Sequence, residues 1–226
     1  MPTSTVYSVA GQDGHIQKDS SSNWLDARNA ASGTSAFPTT TDHAQGCQAQ
    51  YFGGRGSTWR CKRSYFYFDT SSFSLSTNRA TSATINIRGR SVYTSGDIIG
   101  VKQATISNPL ATSDFEKIAG WTGASDTDQE SNVTKYTDEV TTWSGSGYNT
   151  ITLLPQAVSD INNFSKFQIC FLNYDYDLKG VDPDGASDVS NGMYYTDYTG
   201  TSRDPYLSIT YTVVTTYNSI FFGTNF

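Results

Sequence analysis

Apolar and polar positions alternate with a period of two along much of the chain, which predicts strands. Thr84-Ile85-Asn86-Ile87-Arg88 sends apolar side chains one way and polar ones the other. Ile151 and Leu153 flank Thr152 in the same manner, and Phe167, Ile169 and Phe171 repeat it. Near the end, Leu207, Ile209, Tyr211 and Val213 interleave with Ser208, Thr210 and Thr212. Tyr65-Phe66-Tyr67-Phe68 is aromatic at every position. That run predicts a central strand covered on both faces, or one whose tyrosine hydroxyls reach solvent.

Turn-rich stretches separate these segments: Gly53-Gly54-Arg55-Gly56, Ser144-Gly145-Ser146-Gly147 and Asp182-Pro183-Asp184-Gly185. Helical signals are few. Ser113 with Glu116 fits a capping box opening a turn or two. Pro155 suits the first position of a short helix over residues 155–162, with Ala157, Val158 and Ile161 on one side. Residues 137–143 are a third candidate. Irregularly spaced strands, long polar loops and no strand–helix alternation predict an all-β, antiparallel jelly-roll or β-sandwich domain with one or two short helices. Residues 1–62, the least regular stretch, are expected as an irregular segment packed on a sandwich of residues 63–214. Residues 215–226 are expected as a tail.

Composition agrees with strands and turns. Only 36% of the residues are hydrophobic and 16% charged, against roughly 45–50% (a range that counts Gly) and about 25% in ordinary globular chains. Ser, Thr, Asn, Gly and Tyr fill the gap. With 15 Tyr, 12 Phe and 4 Trp the chain is too aromatic to be disordered. The net charge of −6, with no basic cluster beyond residues 60–63, argues against nucleic acid as a partner. No apolar run approaches the ~20 residues of a membrane span. The opening Met1-Pro2-Thr3-Ser4-Thr5 has neither a basic segment nor an apolar one, so the expectation is synthesis and assembly in the cytoplasm. Cys47, Cys61 and Cys170 are too few for a disulfide framework; Cys47 and Cys61 either pair across the Gly-rich loop or stay free and buried.

Candidate chemistry is sparse. The only imidazole bases, His15 and His43, sit in no recognisable motif, and no G-x-S-x-G elbow occurs, so no catalytic residue is expected. Paired aspartates for glycoside hydrolysis would be a spatial matter that the sequence leaves open. Asp175, Asp177, Asp182, Asp184 and Asp188 are dense enough to hold a structural Ca²⁺; the alternative is a pair of turns capped by Asp side chains. Trp24, Trp59, Trp121 and Trp143 are candidates for stacking on glycans, or for packing loops onto the sandwich. The chain ends Tyr217-Asn218-Ser219-Ile220-Phe221-Phe222-Gly223-Thr224-Asn225-Phe226, an aromatic sequence where termini are usually polar. Tyr217, Ile220, Phe221, Phe222 and Phe226 either dock into a neighbouring chain or fold back as an edge strand.

Three segments carry a resemblance. Arg63-Ser64-Tyr65-Phe66-Tyr67-Phe68-Asp69-Thr70-Ser71 resembles the arginine–aromatic–F-D-T/L-S signature of the DNRLRE-type jelly-roll domains. Ala80-Thr81-Ser82-Ala83-Thr84-Ile85-Asn86-Ile87 is similar to a strand of that family, and Arg203-Asp204-Pro205-Tyr206-Leu207-Ser208-Ile209-Thr210-Tyr211 to its final strand. Residues 159–164 and 173–177, with the ending Phe221-Phe222-Gly223-Thr224-Asn225-Phe226, are similar to a variant in structural proteins of marine tailed phages. The resemblance covers residues 63–226 and carries over no catalytic residue. It implies a virion component such as a capsid decoration, a head or neck fibre or a tail appendage. Such a protein would assemble with other virion proteins and its own copies as a homo-oligomer. Secreted relatives imply the alternative, a carbohydrate-binding or adhesive module that meets host-surface glycans; a polysaccharide-degrading enzyme is a third reading.

Overall fold

The computed structural model describes every residue except 55, 75–76, 93, 124–127, 184–187 and 215–226. Its strands all pair antiparallel and form a β-sandwich. In one layer β1 (Thr3–Tyr7), β11 (Tyr206–Val213), β6 (Asn78–Val92) and β8 (Tyr148–Thr152) lie side by side. In the other, β10 (Val189–Tyr194), β4 (Asp42–Phe52), β5 (Thr58–Asp69), β2 (Gly14–Ser20) and β3 (Ser35–Phe37) follow in that order. The far half of β5 carries β9 (Lys166–Asn173), and β9 carries β7 (Ile98–Lys102). The long strand β6 belongs to both layers, because Gly89 and Val92 pair with β10. At that crossing a Cβ on Gly89 would lie 1.7 Å from the Ser144 carbonyl oxygen, so only glycine fits.

The β5 aromatic run is covered on both faces, with Tyr65, Phe66 and Phe68 buried and Tyr67 half-buried. Phe66 and Phe68 join Phe167, Ile169 and Phe171 against Ile85, Ile87, Ile151, Leu207 and Ile209 of the opposite layer. On its other face Tyr65 and Cys61 enter a second core with Ile16, Trp24, Ile99, Val101 and Phe115, roofed by loops and the short helix α1 (Trp24–Arg28). Residues 1–62 are therefore not irregular. They supply β1 to β4, the start of β5 and α1, whose N-cap Asn23 accepts a hydrogen bond from the Asp26 N–H.

Among the described residues the helices are short: α1, α2 (Ser71–Ser74) and α3 (Pro155–Asn163), besides single turns at Thr112–Asp114 and Tyr174–Leu178. α3 starts at Pro155 as expected and buries Ala157 and Ile161 in the first core. The capping expectation at Ser113 and Glu116 needs correcting. Asp114 is the residue that caps this turn, accepting from the N–H groups of Ser107 and Ala111. Residues 137–143 form no helix; Val140 exchanges backbone hydrogen bonds with Ile98 on β7. All three cysteines are free and buried, with Cys47 in the first core and Cys61 in the second, on opposite sides of a sheet. Among the described residues no helix is long and apolar enough to cross a membrane.

Candidate functional site

The described aspartates of the Asp-rich stretch do not come together as a metal site. Asp177 is buried and is gripped by Arg63, whose Nε donates to one carboxylate oxygen at 2.8 Å and whose Nη2 donates to the other at 2.7 Å. Burial opposes the charge on Arg63, but the Asp177 carboxylate outweighs it and holds the guanidinium well above its usual range. The remaining Arg63 donors go to the Phe115 and Arg28 carbonyls, and Arg28 in turn binds the carbonyls of Asp177 and Leu178. This network ties α1 and the turn at 174–178 onto β5. Asp188 accepts from Gln45 and Gln48, Asp182 accepts from Trp59 Nε1 at 3.3 Å, and Asp175 is exposed. Asp184 lies outside the described residues. Among those described, no three His, Cys, Asp or Glu side chains gather where they would hold a metal, and Asp177, Asp182 and Asp188 accept from side chains distant in sequence rather than capping their own turns.

The tryptophans are packing residues first. Trp24 is fully buried, with its Nε1 donating to the Tyr176 carbonyl at 3.1 Å, so it has no face for a sugar. Trp121 lies beneath two guanidinium groups, Arg63 at 4.4 Å and Arg28 at 4.8 Å from its ring centroid. Trp143 leans on the first core and donates to the Gly192 carbonyl. Trp59 is half-buried against Tyr51, ring centroids 4.8 Å apart.

Two groupings escaped the sequence. The only histidines meet: His15, fully buried, lies 4.3 Å from the His43 ring and stacks on Phe37 at 4.5 Å. Burial, then His43 and Lys62, pull the His15 pKa down to about 2; burial, then Lys62 and Arg90, pull His43 down to about 4. Both are neutral imidazoles near pH 7, and neither His15 nitrogen has a hydrogen-bond partner among the described residues. Alongside runs a polar ladder across β2, β5 and β4: Asp19 with Arg60 at 2.7 Å, and Lys62 facing Gln17 and Gln48 in register. Burial lowers the Lys62 pKa to about 8.

The surface that stands out is the outer face of the β1–β11–β6–β8 layer. Thr3, Thr5 and Tyr7 are exposed on β1 while Val6 points to the core. In register beside them come Tyr206, Ser208 and Thr210, then Asn86, Thr84 and Ser82, with Arg88, Thr150 and Thr152 beyond. Among these side chains only Arg88 is charged. At one end Tyr206 meets Tyr7 at 5.9 Å and Tyr148 at 5.3 Å, which leaves Asn86 3% exposed beneath. The expected docking residues Tyr217, Ile220, Phe221, Phe222 and Phe226 lie outside the described residues. Set against known proteins, the chain matches no family model and no curated protein.

Proposed function

We propose that this protein is a non-enzymatic structural component of a tailed-phage particle, a capsid decoration, head or neck fibre or tail appendage, that works by protein–protein assembly. The observation that carries the reading is the hydroxyl and tyrosine face of the β1–β11–β6–β8 layer, charged only at Arg88 among the side chains named, in a chain of net charge −6. Such a face loses little desolvation energy when covered, and tyrosine is enriched where proteins meet. The groups best suited to chemistry are spent internally: the imidazoles are neutral and packed against each other, His15 fully buried, and Asp177 is locked by Arg63. The segments that resemble DNRLRE-type jelly rolls lie on β5, β6 and β11, which all feed the first core, and β5 feeds the second as well. The test replaces Thr5, Thr84 and Ser208 together by Lys. The folded variant is expected to drop out of purified particles assayed by mass spectrometry; incorporation at normal occupancy would reject the reading.

A second reading is a carbohydrate-binding or adhesive module, favoured by the clustered Tyr7, Tyr148 and Tyr206 on that face. Glycan-array binding abolished by Tyr7→Ala would favour it over assembly.

A further inference from the structure

We propose that the open edge of β8 is a docking slot for residues 215–222 of a second copy of this chain. The proposal rests on the assembly reading and names the receptor for it. Among the described residues β8 is paired on one side only, with β6. The Gly89 N–H donates to the Gly147 carbonyl at 2.8 Å and the Leu153 N–H to the Ala83 carbonyl at 3.0 Å, both in the β6–β8 register. Bonded and non-bonded pairs alternate in an antiparallel ladder. Asn149 and Ile151 therefore turn their backbone groups toward β6, whereas Tyr148, Thr150 and Thr152 turn theirs away. Leu154, next in the outward series, does bond outward, its N–H reaching the Tyr136 carbonyl at 2.8 Å. Among the described residues nothing bonds the outward backbone groups of Tyr148, Thr150 and Thr152. A groove of about 420 Å³ runs beside them, walled across by residues 138–142. A free strand edge with room alongside is a template for strand addition.

Charge and reach select the occupant. The far wall carries Asp138 and Glu139, and the neighbouring Asp97 adds a third carboxylate beside Glu139. An acidic strand would be repelled. Residues 215–222 read Thr-Thr-Tyr-Asn-Ser-Ile-Phe-Phe, uncharged and rich in β-branched and aromatic residues. Eight residues exceed the five of β8. Val213 pairs with Asn78 and Thr152 with Thr84, so the chain's own segment starts six positions away along β6, roughly 20 Å at ~3.3 Å per residue. Crossing that gap would consume residues 215–220, including Tyr217 and Ile220, whereas a second copy can offer the whole segment.

The test is residue-resolved amide exchange on the full chain at low and high concentration, with sedimentation to report association. The Tyr148, Thr150 and Thr152 amides are expected to slow at least about tenfold as the chain associates, and to lose that protection when residues 215–226 are deleted. Thr150→Pro removes one outward N–H without touching the β6 ladder and is expected to abolish association, while Thr150→Val retains it. Should the proline variant fail to fold, exchange in the unsubstituted chain decides. Association that needs residues 215–226 but leaves these three amides fast would overturn the slot and spare the assembly reading. Association indifferent to that deletion would overturn the slot and leave the assembly reading to its own test on the β1–β11–β6–β8 face. Protection that does not vary with concentration would assign the slot to the chain's own segment and overturn the proposal.

Discussion

Arg63 and Asp177 meet as a two-pronged fork with donor–acceptor distances of 2.8 and 2.7 Å, both side chains withdrawn from solvent. Removing one partner leaves the other charge buried and uncompensated, which costs about 3–5 kcal/mol. Arg63→Met is thus expected to lower the unfolding free energy by that amount in urea titration. Replacing both together, Arg63→Met with Asp177→Leu, is expected to recover much of the loss. A single variant as stable as the parent would show that the fork contributes nothing.

The thiols give an independent check on the two cores. Burial pushes Cys47 up to about 12, and Cys61 and Cys170 well above their ordinary range. Thiolates are the reactive form. A colorimetric thiol reagent at pH 8 is expected to leave the folded chain unlabelled and to titrate three thiols once it is unfolded. Rapid labelling of folded protein would place a cysteine at the surface.

The sandwich was legible wherever one face of a strand is apolar, as in β6, β8, β9 and β11. It was illegible in β2 and β4 because buried polar residues interrupt the apolar ones. His15 beside Ile16, and Gln48 between Cys47 and Ala49, are all fully buried and leave no apolar alternation. Val140 and Trp143, three apart, fit a helix face equally well as an extended stretch against β7, and tertiary pairing decided for the latter. Asp177 looked like a calcium ligand because its cationic partner is 114 residues away. Trp24 offered no sign that it starts a helix capped by Asn23. The β8 edge was invisible because its free hydrogen-bonding groups belong to the backbone.

The paired histidines set a pH dependence. Their folded pKa values, about 2 for His15 and about 4 for His43, lie below the ordinary value near 6.5. The unfolded chain therefore binds protons that the folded one refuses. The stability at stake is fully present above pH ~6.5 and is lost as the pH falls below it, by at most about 1.4 kcal/mol per pH unit for each fully buried imidazole. His15→Phe keeps the stack on Phe37 and removes one titrating group. Its urea midpoint is expected to fall less steeply between pH 6.5 and 4 than the parent's. Parallel curves would mean that His15 takes up its proton freely in the fold.

Asp13 acts in the opposite sense. Burial raises its carboxyl to about 6, against hydrogen bonds from Thr196 and Ser8 that lower it. Those bonds all fall on Oδ2, while Oδ1 is buried with no partner among the described residues. Because the folded pKa is raised, the neutral form is the favoured one. The contribution is full below pH ~4 and is lost as the pH rises through 6. Asp13→Asn stays neutral throughout, and its Oδ1 can accept the same bonds. A shift from 3.8 to about 6 corresponds to an upper bound of about 3 kcal/mol at pH 7. The variant is therefore expected to be more stable than the parent at pH 7 by up to that amount, with the two unfolding midpoints converging near pH 4. A variant less stable at both pH values by the same margin would show that the fold requires the carboxylate itself.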